Sequence, residues 1–375
     1  MRILHIITSL GDGGAENTLY KICKNDHDNE HIIISLKKAD KYSFLLKKQG
    51  IKVYHLNMRI FLIFDFFYLI KKIRYLKPNL IQTWLVHGDL IGGLAAKLSG
   101  LNNIIWNVRY SSLEMHKKNL LNLFFIKILA ILSFYIPKLI VVVSKSTKKN
   151  CINLGYDKQK LYLIPNGYEL SILKFDKNYK FNFKKKFKIK KNIPIIGNVA
   201  RFDPMKDHLN LINSLFLIKK KNIDFLCILV GSNINRNNAK LVSHIKKLNL
   251  EKNIKLLGKQ NNIEKIMSVI DIYVQSSSYG EGFPNVVAEA MACKTPSVVT
   301  NIGDAAFIVK KTGLVSPPNN PLKLSSAIVN MIYLKKNKIR WNKRCIQARQ
   351  RIAENFNIAK MMLSYNKIWK KVGKK

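Results

Sequence analysis

Two carboxylates, Glu281 and Glu289, bracket the part of this chain with the most chemical content: Ser277-Ser278-Tyr279-Gly280-Glu281-Gly282-Phe283-Pro284-Asn285-Val286-Val287-Ala288-Glu289. Glu281 sits in a glycine-flanked loop, and Glu289 lies about one and a half turns into the helix expected to follow. Pro284 fits the first helical position, where its missing N–H costs nothing. The free N–H groups of that first turn favour an anion. A diphosphate held there, with an acid on each side to accept hydrogen bonds from hydroxyl groups, describes a sugar nucleotide, polyol at both ends and anionic in the middle.

Further candidates lie where strands give way to helices. In Gly197-Asn198-Val199-Ala200-Arg201-Phe202-Asp203-Pro204-Met205-Lys206 the Arg201 fork and the Lys206 point charge can both reach one diphosphate. Among 65 basic residues such a pair means little alone; its place at a strand end raises its value. Gly11-Asp12-Gly13-Gly14-Ala15-Glu16 half-matches a dinucleotide fingerprint, but Glu16 stands at the third glycine, and the second strand ends in Ser35-Leu36-Lys37-Lys38 without a ribose-binding acid. A classical nicotinamide site is therefore disfavoured, while a close backbone approach to phosphate or sugar, or a plain tight turn, stays open. His87 follows a strand and faces the expected cleft, although a lone histidine is more often a structural hydrogen-bonder. Asp26-His27-Asp28 has metal-holding spacing but reads as a solvated turn, so no metal and no cofactor is expected. Neither a serine–histidine–aspartate triad nor a P-loop is visible.

Short apolar runs alternating with helical patterns must position these residues. Arg2–Thr8, Ile32–Leu36, Val53–Leu56, Leu80–Trp84, Ile104–Val108 and Leu139–Val143 read as strands of a first half. Ile193–Val199, Phe225–Val230, Ile254–Leu257, Ile272–Gln275 and Ser297–Thr300 read as those of a second, with helices over Leu209–Lys220, Ala239–Leu248, Ile263–Val269, Pro284–Cys293 and Leu322–Leu334. Asp89–Leu98 reads as a helix whose Gly92-Gly93 allows close packing. The lysine-rich Tyr168–Asn192 reads as a linker with a lead-in helix. An α/β protein follows, with two doubly wound halves and ligands at the carboxyl ends of the strands.

The formal net charge is +43, and the five cysteines form no CxxC pair. A reducing, cytoplasmic setting fits that cysteine usage. The charge reflects both lysine-rich composition on solvated faces and attraction to an anionic membrane, at about 1 kcal/mol per basic residue near the bilayer. Nucleic acid is disfavoured as a partner, because the lysines spread over the whole chain and no binding motif accompanies them. The first apolar run reads as a buried strand rather than a leader. Leu120–Ile136 and Ile60–Ile70 are strongly apolar yet short or interrupted for a membrane span, and read as buried helices first and interfacial helices second.

In its ordered motifs the chain resembles the retaining glycosyltransferases of family 4, which have the two-domain GT-B fold. The resemblance rests on Glu281 and Glu289 with Gly282-Phe283-Pro284, on Gly13-Gly14-Ala15-Glu16, Pro165-Asn166-Gly167, Gly197 with Arg201 and Lys206, Ser276-Ser277-Ser278, Thr295-Pro296 and Thr312-Gly313-Leu314-Val315. Trp84, His87 and Gly92-Gly93-Leu94-Ala95-Ala96 resemble members that build bacterial surface polysaccharides, lipopolysaccharide or capsule, on a polyprenyl diphosphate carrier.

The resemblance implies an acceptor-binding domain over 1–170, with 357–375 crossing back onto it, and a donor domain over 171–356. It implies that Arg201 and Lys206 neutralise the donor diphosphate, that Glu289 holds the ribose and Glu281 the transferred sugar, and that Gly282, Phe283, Pro284 and Asn285 cradle donor groups. Gly13 and Gly14 would border the reaction centre, His87 would bond the donor sugar, and Glu16 and Arg109 would contact the acceptor. The implied reaction is metal-independent transfer, with retention, from a nucleotide sugar, expected to be a UDP-sugar, to a glycan or lipid-linked acceptor at the inner membrane face. A sugar-nucleotide epimerase of the same fold and a non-enzymatic basic membrane- or nucleic-acid-binding protein are the competing readings. One departure is Lys294, where such proteins usually have the glycine that ends a helix in the left-handed region.

Overall fold

A computed structural model describes residues 1–58, 63–109, 120–190 and 192–373. The chain divides into two units, Met1–Gly167 with Ile358–Lys375, and Tyr168–Asn357. In the first unit β1 (Arg2–Ile7), β2 (Glu30–Ser35), β3 (Lys52–His55), β4 (Leu80–Trp84), β5 (Ile104–Val108), β6 (Leu139–Val142) and β7 (Leu161–Leu163) pair in parallel in the order β3-β2-β1-β4-β5-β6-β7. Their Ile-, Leu- and Val-rich runs suit strands covered on both faces. Ile3 stands opposite His31 on one side and Leu80 on the other, which fixes which side chains share a face.

On one face Ile6, Ile81 and Trp106 pack with the helices Ile63–Leu76, Gly93–Leu98 and Leu120–Leu132. The opposite face, bearing Ile3, Ile7, Leu80 and Ile105, takes the helix Gly14–Asn25 and the returning helix Ile358–Gly373. Because side chains alternate along a strand, His5, Gln82 and Asn107 fall on this second face. Trp369 Nε1 donates to Gln82 Oε1 at 2.8 Å, and Asn107 Nδ2 donates to the Tyr365 hydroxyl at 3.0 Å. Polar groups inside strands thus select the helix that covers them.

Trp84 Nε1 donates to His5 Nδ1 at 3.2 Å, His5 Nε2 meets His31 Nδ1 at 2.9 Å, and His31 Nε2 meets Asp26 Oδ2 at 2.9 Å. Asp26 is therefore a buried partner of His31, not part of a solvated turn; His27 and Asp28 remain exposed.

In the second unit β8 (Ile195–Val199), β9 (Leu226–Val230), β10 (Ile254–Leu256), β11 (Ile272–Gln275), β12 (Ser297–Thr300) and β13 (Leu314–Ser316) pair in parallel in the order β10-β9-β8-β11-β12-β13.

The sequence pattern leaves several elements unread, the helices Lys41–Lys48, Lys145–Asn153 and Ala305–Val309 among them. β7 and β13 are only three residues long, and the helix Lys338–Asn355 buries little beyond Ala348 and Ile352. The segment read as one helix over Asp89–Leu98 starts as a π-helix, Gly88–Gly92, before the α-helix Gly93–Leu98. A side chain at Gly92 would press on Ile6 Cγ2 at 2.8 Å, so glycine is what lets this turn lie on β1. The helix Leu120–Leu132 is not wholly buried, since Leu121, Phe124 and Ile131 are exposed. Residues 60–62 of the other apolar run lie outside the described residues.

Candidate active site

In each sheet the chain winds outward in both directions from one pair of strands, and ligands of such sheets bind beyond the strand ends at that switch point. In the second unit the pair is β8 and β11. The loop leaving β8 carries Arg201 and Lys206; the loop leaving β11 carries Ser277, Glu281 and Gly282.

The first of these loops is set by its acids. Asp203 accepts from the Met205 N–H at 2.9 Å and so opens the turn Pro204–Lys206, while Arg201 Nε donates to its other oxygen at 3.0 Å. Burial raises the Asp203 carboxyl, but the Met205 amide and the Arg201 guanidinium more than offset this and hold it below the ordinary value. Asp207, in the left-handed region at φ 47°, caps the helix His208–Lys220. His208 is buried beside Lys206 and pushed down to about 4 by burial and by that ammonium, so it stays neutral.

The two loops are laced together. Ser276 Oγ donates to the Lys206 carbonyl at 2.8 Å, and the Ser278 N–H to the Met205 carbonyl at 2.9 Å. Lys206 Nζ donates to Glu281 Oε1 at 2.6 Å, and Ser277 Oγ donates to the same oxygen at 2.7 Å. Burial would raise the Glu281 carboxyl, yet the Lys206 charge and the hydrogen bonds from Lys206, Ser277 and Gln275 outweigh it and hold Glu281 ionised.

Helix Asn285–Ala292 begins directly after this loop. Pro284 is its cap rather than its first residue, one position earlier than the sequence suggests. Tyr168 donates to Asn285 Oδ1 at 2.7 Å and stacks on Phe283, which fixes the start of the helix. Glu289 is half-buried in the middle of that helix. Both acids act on the buried Tyr273 hydroxyl, which burial foremost, then Glu281 and Glu289, push upward. Arg201, Lys206, Glu281, Gly282, Phe283, Pro284, Asn285 and Glu289 therefore gather at one end of one sheet.

Gly13, Gly14, Glu16, His87 and Arg109 belong to the first unit, whose switch point lies between β1 and β4. Gly13 caps the helix Gly14–Asn25, and the Glu16 carboxylate folds back over it, so that a Cβ at Gly13 would lie 2.3 Å from Glu16 Oε2. Burial raises Glu16 despite its bonds to its own N–H and to Ser9. His87 closes a short turn after β4 in which Leu85 adopts φ 68°. Its ring meets Phe125 edge-on, and burial and then Lys37 lower its pKa. The Gly88 N–H donates to Thr8 Oγ1 at 3.2 Å and ties the β4 loop to the β1 loop.

Arg109 is occupied inside its unit: Nε donates to Asn107 Oδ1 at 2.9 Å, and the other nitrogens donate to Thr18, Asn166 and Tyr365. Sequence reasoning missed Asp203 and the bond from Ser277. Asp followed by Pro is a helix-start signal that marks the former; nothing local marks the latter.

Residues 12–172 match the family model for Glycosyltransferase Family 4, and residues 180–350 that for Glycosyl transferases group 1. The chain is 28% identical, over 78% of its length and 74% of the relative's, to an Escherichia coli UDP-Gal:alpha-D-GlcNAc-diphosphoundecaprenol alpha-1,3-galactosyltransferase. It is 26% identical, over 94% of its length and 95% of the relative's, to the N,N'-diacetylbacillosaminyl-diphospho-undecaprenol alpha-1,3-N-acetylgalactosaminyltransferase of Campylobacter jejuni. Among solved structures it shares its fold with Anabaena HepE in complex with UDP, at a TM-score of 0.87 and 20% identity, over 99% of this chain and 100% of that one.

Proposed function

The chain belongs to the family 4 glycosyltransferases of GT-B fold, and from that premise we propose that it transfers a sugar, with retention of configuration, from a UDP-sugar to a hydroxyl of a polyprenyl-diphosphate-linked glycan. The observation that carries this reading is the Lys206–Glu281 pair, a half-buried ammonium on a buried carboxylate, at the switch point of the second unit, beside the N-terminus of helix Asn285–Ala292. Departure of the nucleoside diphosphate places negative charge on its β-phosphate. Arg201, Lys206 and the amides around Gly282 and Phe283 are fixed cationic and dipolar groups suited to that charge. They fill the role that a divalent ion would otherwise take.

Glu281, held ionised, accepts hydrogen bonds from the hydroxyls of the transferred sugar, and Glu289 those of the ribose. His87, whose pKa burial and then Lys37 lower, is a neutral hydrogen-bonding group in the loop that leaves β4 of the first unit. The leaving phosphate acts as base toward the acceptor hydroxyl. The UDP-Gal and diphosphoundecaprenol in the name of the Escherichia coli relative, and the UDP bound to HepE, support the donor and acceptor classes. A lipid-linked acceptor places the reaction at the cytoplasmic membrane face, with the protein bound peripherally.

The test is turnover of a panel of sugar nucleotides with a short-chain alkyl-diphosphate sugar as acceptor, in chelator. Acceptor-dependent release of nucleoside diphosphate, with an equatorial anomeric proton signal (small coupling to H2) in the product of an α-configured donor, supports the reading. Donor conversion that ignores the acceptor would favour an epimerase.

A further inference from the structure

The helices Ile63–Leu76 and Leu120–Leu132 lie on the same face of the first sheet, with Gly93–Leu98, and bury one stripe each: Leu69, Ile70 and Ile73 on the first, Ile126, Leu129 and Ala130 on the second. Their outward stripes should then be polar. They are not. Phe64 is 84% exposed and Phe67 62%; on the second helix Phe124 is 57% exposed and Ile131 65%. Lys71 and Lys127 are exposed on the same stripes, at the three- and four-residue spacing that aligns side chains along a helix. Since both helices belong to one layer over one sheet face, their uncovered stripes look the same way. Isolated exposed apolar residues need no explanation, but two apolar stripes on one layer of helices do.

We propose that this outward face is the surface by which the protein seats on an anionic bilayer, its rings entering the headgroup boundary and its lysines reaching the lipid phosphates. The inference rests on the lipid-linked acceptor proposed above. Rings flanked by long cationic side chains are the composition of interfacial helices. Charge chooses between occupants: a chain of net charge +43 is drawn to anionic lipid, whereas a second copy brings the same lysines to the same face. The contact lies on the surface rather than through it, because among the described residues no helix is long and apolar enough to cross a membrane.

The experiment is sedimentation of the full chain, without donor or acceptor, with vesicles of phosphatidylcholine alone or mixed with phosphatidylglycerol. The parent is expected to bind the mixed vesicles, and to bind them less at high salt. The pairs Phe64→Ser with Phe67→Ser, and Phe124→Ser with Ile131→Ser, are expected to weaken binding about tenfold or more with an unchanged melting temperature. The pair Phe181→Ser with Ile339→Ser, exposed rings and chains of the second unit, is expected to bind like the parent. Equal binding by parent and stripe variants overturns the proposal, as does equal loss in the second-unit control. A dimer that the stripe variants dissolve, with no vesicle binding by the parent, assigns the face to self-association instead. Failure here leaves transfer to the short-chain acceptor standing, and failure of that transfer leaves vesicle binding standing.

Discussion

The Lys206 ammonium donates to Glu281 Oε1 at 2.6 Å, which joins the loop after β8 to the loop after β11 through two side chains largely withdrawn from water. Removing the cation strands a buried carboxylate, which costs roughly 3 kcal/mol. Because the folded-state pKa of Glu281 is depressed, its contribution to stability is full above the unfolded value of 4.5 and disappears as pH falls through the folded value. Lys206→Ala is therefore expected to melt lower than the parent at pH 7, with the gap closing in acid. Glu281→Ala is expected to keep nucleotide affinity within a few-fold while transfer falls by roughly 10²–10³. Transfer at the parent rate would remove Glu281 from the site.

Ser277 acts on Glu281 without touching the sugar in this reading. Its hydroxyl donates to Glu281 Oε1 at 2.7 Å, and Gln275 Nε2 reaches Ser277 Oγ at 3.4 Å. A hydrogen bond to a charged group contributes about 1.5–3 kcal/mol, so Ser277→Ala lets the Glu281 carboxyl rise. The acid limb of the rate profile is expected to move to higher pH, and Ser277→Thr to move it back. A serine that merely fills space would lower the rate at every pH alike.

Asp89 is the second residue of the π-helical turn Gly88–Gly92 that follows His87, and is buried. Burial pushes its carboxyl up to about 7, against the pull of Thr83 Oγ1 at 2.5 Å and of the Asn107 N–H. A carboxyl raised above its unfolded value of 3.8 destabilises the fold while ionised, and that cost is relieved as pH falls through about 7. Asp89→Asn is accordingly expected to gain as much as roughly 4 kcal/mol at pH 8 and much less near pH 5. Urea melts at the two pH values measure the difference, and a gain independent of pH would refute the assignment.

The sheets were legible because parallel strands buried on both faces leave uninterrupted apolar runs: Leu80–Trp84, Ile104–Val108, Ile272–Gln275 and Ser297–Thr300 have the expected bounds. The three-residue β7 and β13 leave too little pattern, and the helix Lys338–Asn355 buries too narrow a stripe. Within the site, Lys206 and Glu281 were visible as residue types at strand ends. That they bond each other, and that Ser277 shares the same oxygen, depends on β8 and β11 being neighbours across 75 residues of sequence. Asp26 differs, because its partner His31 is only five residues on; what the local sequence hides is the burial of that pair, His31 packing against His5 of β1 and Trp369 of the returning helix.

Lys294 shows how the chain tolerates a residue where glycine is usual. The Thr295 N–H bonds the Ala290 carbonyl and the Lys294 N–H the Met291 carbonyl, closing helix Asn285–Ala292 with Lys294 in the left-handed region at φ 63°. A side chain there costs about 1 kcal/mol, part of which glycine returns as unfolded-state entropy. Lys294→Gly is expected to gain roughly 0.5 kcal/mol, seen as a slightly higher melting temperature, at unchanged transfer. A loss would mean that the lysine side chain contributes an interaction worth more than the strain.

Arg109 offers the sharpest division between structure and substrate. Its guanidinium stacks over Trp84 at 5.2 Å and bonds Asn107, Thr18, Asn166 and Tyr365, four places on three helices and strands and the segment leading to Gly167. Lysine cannot reproduce a planar fork, so Arg109→Lys is expected to cost roughly 2 kcal/mol in stability. Tyr365→Phe removes one shared partner, and the double variant is expected to lose less than the sum, with a coupling of roughly 1 kcal/mol. If Arg109 is such a bracket, the acceptor KM of the Lys variant stays near the parent value. An acceptor KM that climbs tenfold with no change in melting temperature would return Arg109 to the acceptor, because a group already committed to four neighbours has one N–H left to offer a ligand.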